Sequence, residues 1–136
     1  MKILMFQAHR FFFAPYVKTS PQAADSTSCA EVSDAAVVFL HTEPEDEQRR
    51  PKVVTTTVKN IKWLANKRGL RNVVLHSFAH LGTEKAPPAF ADELIEEAAR
   101  RLRSTGYEVW VTPFGYSCEW ELAVYGDTLA KVFKSF

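Results

Sequence analysis

The sequence predicts one mixed domain of the α/β or α+β class, in which two long helices cover a β-sheet. Its 136 residues correspond to a single domain. Two segments carry apolar residues at helical spacing, and short β-prone runs lie before, between and after them. This alternation predicts the element order β-β-β-α-β-α-β-β-(α) over residues 1–136.

The first 41 residues predict three strands. Lys2–Gln7 is a short apolar run, and Phe11–Val17 is aromatic, with Pro15 marking an edge or a bend. Residues 19–34 are rich in Ser, Thr, Ala and Asp, which indicates a loop. Ala35–His41 has the continuous apolar character of a buried strand.

The two helices enclose a further strand. In Val53–Arg68 apolar residues recur every three or four positions, and Gly69 ends the pattern. Asn72–Ser77 is the strand between the helices. The second helix begins at Pro88 and ends before Gly106, with acidic residues early and basic residues late, as the helix dipole favours.

The C-terminal part predicts two strands and a short helix. Tyr107–Thr112 is β-prone, and Pro113–Gly115 forms a bend. Ser117–Val124 alternates, which predicts a strand with one apolar and one acidic face. Leu129–Phe133 predicts a last, short helix.

Composition excludes several classes of protein. The chain is 46% hydrophobic and 24% charged, so it is neither disordered nor of low complexity. Its apolar runs are far shorter than the roughly 20 residues of a membrane helix, and no signal peptide is recognisable. Cys29 and Cys118 are too few for a disulfide framework or a Cys-based zinc pattern. We therefore expect a cytoplasmic protein with no membrane partner.

Charge is distributed unevenly although the net charge is only +1. Residues 52–71 carry six Lys or Arg and no acidic residue. This basic segment lies in the first predicted helix. It is either a surface that docks on a phosphate backbone or merely the solvated side of that helix.

Two loops after predicted strands are candidate sites. His80 follows the Asn72–Ser77 strand, at an edge where open sheets bind ligands, although it is also compatible with a histidine at the rim of the core. Pro113–Tyr116 combines a glycine with aromatic side chains and is either a pocket wall or an ordinary bend.

Other candidates for chemistry carry weaker signals. Cys118 and His80 form a nucleophile–base pair only if the fold joins them, and a lone cysteine is more often inert and buried. Glu119 and Glu121 share a strand face, which is typical of a solvated surface. The four histidines lack metal-ligand spacing, and no phosphate-binding glycine-rich loop occurs, so we expect no metal and no cofactor.

Two motifs about 32 residues apart resemble the editing domain of archaeal threonyl-tRNA synthetases. They are Phe-Ala-His-Leu within Val73–Gly82 and Pro-Phe-Gly-Tyr within Thr112–Tyr116. The similarity also covers Met1–Gln7, Ala35–Glu43 and the prolines before the second helix, whereas residues 18–34 and 44–56 match little.

The resemblance implies a fold like that of D-aminoacyl-tRNA deacylases, usually as a homodimer. It implies hydrolysis of L-serine from mischarged threonine tRNA, with the charged tRNA 3′ end as partner. Such editing is needed because serine lacks only one methyl group of threonine, a difference of about 1–3 kcal/mol in a binding pocket. The tRNA 2′-hydroxyl would assist a water positioned by backbone groups.

The resemblance also assigns residues. His80 would line the serine pocket and reject threonine. The residues expected to shape the aminoacyl-adenosine pocket are Thr42, Ala79, Pro113, Phe114, Gly115, Tyr116, Ser117 and Lys131. The family places a lysine where this chain has Cys118 and a glutamate where it has Lys131, which makes Cys118 a candidate catalytic position.

These departures leave three interpretations of the activity. The chain is an active seryl-tRNA(Thr) deacylase, a deacylase with altered amino-acid specificity, or a tRNA-binding module without turnover. A Cys118-dependent hydrolase is a further alternative. We expect a free-standing editor, with threonyl-tRNA synthetase as a further partner, rather than an excised domain.

Overall fold

In the computed structural model, which describes all 136 residues, a six-stranded mixed sheet carries two long helices. The strands are β1 (Lys2–Lys18), β2 (Ala30–His41), β3 (Asn72–Ser77), β4 (Glu108–Val111), β5 (Tyr116–Val124) and β6 (Lys131–Ser135). The helices are α1 (Arg50–Asn66) and α2 (Pro88–Ser104), and short 3-10 segments occur at Pro44–Arg49 and Thr128–Ala130.

Strand β1 lies at the centre of the antiparallel half of the sheet. One of its edges pairs with β2, while the other pairs with β6 over residues 2–6 and with β5 over residues 8–18. Strands β2, β3 and β4 are parallel, joined by α1 and α2 as crossover connections. The carboxyl ends of these three strands therefore meet at one edge.

A register shift at His9 changes the direction of the β1 side chains. Before it, Ile3 and Met5 pack under the helices, and after it, Phe11 and Phe13 are buried in the cluster on the opposite side of the sheet. An extra residue in one strand has this effect because side chains alternate with a period of two.

Two apolar clusters form the core. The larger lies between the sheet and the helices and includes Ile61, Leu64, Leu94 and Leu102, each fully buried. The smaller lies where β1 and β5 curl over the other face, and Phe39 packs there against the ring of Trp120 at 5.4 Å. The side chains of the second half of β1 thus help to bury the face of the sheet that carries no helix.

The mixed class predicted from the sequence is confirmed, and the β3 bounds agree with the prediction. The first two predicted strands are one strand, because the polar break at residues 8–10 is absorbed as the register shift. The predicted helix at Leu129–Phe133 is wrong. That segment supplies β6, which hydrogen-bonds the edge of β1 left open between Lys2 and Phe6.

Neither helix is long and apolar enough to cross a membrane.

We predict that Thr57→Val stabilises the fold. Thr57 is fully buried in α1, and its hydroxyl has no hydrogen-bond partner. Removing an unsatisfied buried hydroxyl while keeping the β-branched shape should raise the free energy of unfolding by about 1 kcal/mol, measured by urea denaturation. The matched control is Thr56→Val, one position away and only half-buried, which should change stability by a few tenths of that value. Loss of stability in Thr57→Val alone would contradict the prediction.

Candidate functional site

A cavity of about 480 Å³ opens where the carboxyl ends of β2, β3 and β4 meet. Its walls come from Thr42 after β2, the loop 77–80 after β3 and the segment 113–118 that leads into β5. Thr19, Ser20 and the start of α2 complete the rim. Parallel strands bring the loops after β2, β3 and β4 to one edge, while Thr19, Ser20 and Trp120 reach the cavity from β1 and β5.

Buried His41 holds the loop after β3 in place. The Leu81 N–H donates to His41 Nδ1 at 3.0 Å, so Nε2 carries the proton and donates to the Glu84 carbonyl at 2.6 Å. The Ala86 N–H also donates to the Thr42 carbonyl. The loop that carries His80 is therefore held on its C-terminal side, from Leu81 to Ala86.

A chain of aromatic rings leads from the core to the cavity. Phe39 packs against Phe78 with ring centres 5.1 Å apart, and Phe78 packs edge-on against His80 at 5.0 Å. Trp120 of β5 also packs against Phe39 and lines the cavity. The edge-to-face contact with Phe78 orients the exposed His80 imidazole.

His76 lies at the base of the same cluster. It is 6% exposed, and its Nδ1 lies 2.8 Å from the Thr112 hydroxyl. Burial lowers the pKa of this imidazole from 6.5 to about 4, so it is neutral at physiological pH. The pair joins the ends of β3 and β4 directly beneath the cavity.

The opposite wall depends on Gly115. Its φ is +78°, and its carbonyl accepts hydrogen bonds from the N–H groups of Thr19 and Ser20. A Cβ at this position would lie 2.6 Å from that of Ala23. Next to it, the Tyr116 hydroxyl accepts a hydrogen bond from the Ser26 N–H. Glycine is required here because the segment after β1 packs directly against this turn.

Most of the residues predicted from the sequence line this one cavity. They are Thr42, Ala79, His80, Pro113, Phe114, Gly115, Tyr116, Ser117 and Cys118. Lys131 does not line it. Lys131 lies at the start of β6, and its ammonium group donates to the carbonyls of Tyr125 and Asp127.

Cys118 and His80 line the same cavity from facing walls, and no hydrogen bond links their side chains. Burial raises the pKa of the Cys118 thiol, so the reactive thiolate is disfavoured at neutral pH. Glu119 and Glu121 point away from the cavity, and Glu121 pairs with Arg10 on the surface. The geometry thus gives no support to a thiol nucleophile.

Sequence reasoning missed several lining residues. They are Thr19, Ser20, His76, Ser77, Phe78, Lys85, Ala86, Pro88, Ala91 and Trp120. Ser77 and Phe78 are close to His80 in the sequence, so the pattern that marked its loop could have found them. Thr19 and Trp120 reach the cavity only because β1 and β5 curve toward it. Lys85 carries no local motif that would mark it.

The chemistry available in the cavity is that of positioning rather than of strong acid or base groups. No carboxylate lines it, and its basic side chains are Lys85, His80 and the neutral imidazole of His76. No group of three or more His, Cys, Asp or Glu side chains is placed to hold a metal ion. The Thr42 hydroxyl is buried without a hydrogen-bond partner, which leaves it available to a polar group of a ligand.

Comparison with known proteins finds similarity over the whole chain. Residues 1–136 match the family described as the archaea-specific editing domain of threonyl-tRNA synthetase. The chain is 31% identical to the threonine–tRNA ligase of Hyperthermus butylicus, covering 100% of this chain and 23% of that protein. It is also 31% identical to the enzyme of Thermococcus kodakarensis, covering 85% of this chain and 18% of that protein. The chain thus spans about a fifth of the length of these relatives.

A solved structure shares the fold. The c-Myc DNA unwinding element binding protein superposes with a TM-score of 0.73 at 13% identity, covering 100% of this chain and 99% of that chain. At this identity the likeness shows that the two chains share a fold.

We predict that His76 makes the fold sensitive to acid. The unfolded chain binds a proton at this imidazole near pH 6.5, but the folded chain does so only near pH 4. Stability therefore rises with pH between these values, and lowering the pH from 7 to 5 should cost about 2 kcal/mol through this group. Urea denaturation at both pH values measures the loss, and His76→Gln is the control without the imidazole. An equal pH dependence in both proteins would contradict the assignment.

Proposed function

Because the chain belongs to the family of archaea-specific threonyl-tRNA synthetase editing domains, we propose that it hydrolyses L-serine from mischarged threonine tRNA. Aminoacyl-tRNA editing is the general activity of this family. The observation that carries the proposal is the cavity in which the His80 loop and the Pro113–Cys118 segment face each other.

The cavity suits the aminoacylated end of a nucleic acid. Its volume of about 480 Å³ is within the range of small-molecule sites, and its wall combines aromatic surface with backbone groups. We place the serine side chain at His80 and the terminal adenosine along the Pro113–Tyr116 segment. The unpartnered Thr42 hydroxyl supplies one hydrogen bond to the substrate.

The reaction adds water to the ester carbonyl. The bond between the carbonyl carbon and the ribose oxygen then breaks, releasing serine and the free 3′-hydroxyl, which takes up a proton. No carboxylate in the cavity acts as a base, so backbone groups and His80 position the water, assisted by the tRNA 2′-hydroxyl. Charge develops on the carbonyl oxygen, and donors aimed at it lower the barrier.

Lys85 is suited to supply positive charge to that oxygen. It is the only lysine or arginine in the cavity wall, whereas Lys131 lies outside that wall. The position of Cys118 offers only a neutral thiol, because burial raises its pKa. Lys85 therefore compensates for the absence of a lysine at position 118.

The primary test compares deacylation of seryl-tRNA(Thr) and threonyl-tRNA(Thr) by the purified chain. Hydrolysis of the serine ester alone is expected. His80→Ala should lower the ratio of serine to threonine hydrolysis by about tenfold or more, since the pocket loses the group that senses one methyl. Cys118→Ser should retain activity. Unchanged selectivity in His80→Ala would contradict the role of His80, and loss of activity in Cys118→Ser would favour a thiol mechanism.

We also predict that Lys85→Ala lowers kcat by about tenfold, less than the 10²–10³ of a buried oxyanion donor because Lys85 is exposed. Lys85→Arg should keep most of the rate because it keeps the charge. Single-turnover deacylation of seryl-tRNA(Thr) measures both variants. Equal rates for Lys85→Ala and the wild type would exclude a catalytic role for this lysine.

A second candidate function is tRNA binding without turnover. It is favoured by the lack of any carboxylate in the cavity and by the neutral thiol at Cys118. In that case the wild type binds a non-hydrolysable seryl-adenosine analogue without deacylation, and Cys118→Lys restores hydrolysis. Deacylation by the wild type above the spontaneous rate would exclude this function.

The remaining features implied by the family belong to the same proposal. We propose that the domain acts as a homodimer in the cytoplasm and cooperates with threonyl-tRNA synthetase. The editing reaction itself uses groups from within one chain, since each predicted loop reaches the same cavity in a single copy.

A further inference from the structure

Helix α1 presents a line of basic side chains to solvent. Lys52, Lys59, Trp63 and Lys67 follow one another at spacings of seven, four and four residues, which places them on one side of a helix. All four are exposed. Together with the neighbouring Lys134 of β6 they are called here the basic stripe.

The basic stripe has no acidic counterpart. None of its four lysines forms an ion pair, although ion pairs occur elsewhere on the same helices. The carboxylates of Glu93 and Glu97 on α2 pair with Arg50 at the first turn of α1 instead. A merely solvated helix face usually mixes both signs of charge, whereas unpaired cations of one sign attract an anionic partner.

Trp63 lies between two of these cations. The ammonium group of Lys67 is 5.9 Å from the indole centre, and that of Lys134 is 5.4 Å away. The indole itself is 38% exposed. Two like charges beside one exposed aromatic ring form a surface that can neutralise phosphates and pack against a ribose or a base.

The basic stripe is also oriented with respect to the cavity. Helix α1 follows the end of β2 at which Thr42 lines the cavity, and it runs back to the start of β3 at Asn72. Lys52 is therefore at the cavity end and Lys67 at the far end of a helix about 25 Å long. A helix that begins near the cavity and runs away from it is a surface along which a nucleic acid bound by its 3′ end can lie.

From these observations we propose that the basic stripe binds the ribose–phosphate backbone of the double-helical stem of the substrate tRNA. This inference rests on the proposed function, because it takes the RNA whose end occupies the cavity as the partner. In this proposal α1 and β6 contribute to the affinity for tRNA, and the cavity carries out the hydrolysis. Phosphate contacts position an RNA without reading its sequence, so this contact does not distinguish one tRNA from another.

The test neutralises the basic stripe with the combined substitutions Lys59→Gln, Lys67→Gln and Lys134→Gln. Affinity for transcribed, uncharged tRNA(Thr) should fall about tenfold or more at low salt. The slope of log affinity against log salt should become shallower by about two to three, since each lost phosphate contact contributes about 0.9. Hydrolysis of 3′-seryl-adenosine, which has no stem, should remain at the wild-type rate.

A matched single-site pair controls for net charge. Lys59→Glu and Arg100→Glu make the same change in charge, and Arg100 is an exposed residue of α2 without an ion pair. Only Lys59→Glu should weaken tRNA binding appreciably. Equal weakening by both variants would overturn the proposal, because the effect would then reflect overall charge.

Two further outcomes separate the inference from the function on which it rests. If the wild type hydrolyses no ester but the substituted stripe still loses tRNA affinity, the docking surface stands and the catalytic proposal fails. If tRNA affinity is unchanged while binding to purified threonyl-tRNA synthetase is lost, the partner is a protein and the RNA assignment is overturned.

Discussion

The register shift at His9 in β1 is the constraint on which the rest of the structure depends. A single strand must pair with β6 over its first part and with β5 over its second, while β2 occupies its other edge throughout residues 2–13. Tyr125 secures this point, since its ring lies 3.6 Å from that of His9 and its hydroxyl donates to Asp34. The guanidinium group of Arg68 packs over the same Tyr125 ring, 3.9 Å from its centre.

The cavity depends on this switch in pairing of β1 from β6 to β5. After the shift, β5 runs across the face of the sheet that the helices leave open, which brings Trp120 against Phe39 and the 113–118 segment opposite the His80 loop. The hydrogen bonds of His41 fix the wall that carries His80. Separate hydrogen bonds to the Gly115 carbonyl fix the facing wall. Rigid walls suit the proposed hydrolysis, which depends on placing water and an ester rather than on a strong base.

Cavity and helix surface divide the work of recognition. The cavity is small, lacks carboxylates and has aromatic walls, which suits the end of a substrate. The unpaired lysines of α1 are spread over several turns, which suits the long anionic body to which that end is attached. In the proposed function, long-range attraction to phosphates increases the rate of encounter, and discrimination between amino acids is assigned to His80.

The sequence by itself determined the mixed class, the bounds of β3, the positions of both helices and the two motifs that form facing walls of the cavity. These features depend on local spacing, on turn residues and on motifs that are continuous in the chain. Only the tertiary structure decided that residues 2–18 form one strand, that residues 131–135 pair with it instead of forming a helix, and that Lys85 and Trp120 reach the cavity while Lys131 does not. The physical reason is that strand pairing satisfies backbone groups of residues far apart in sequence, and no local pattern records which partner a free edge will accept.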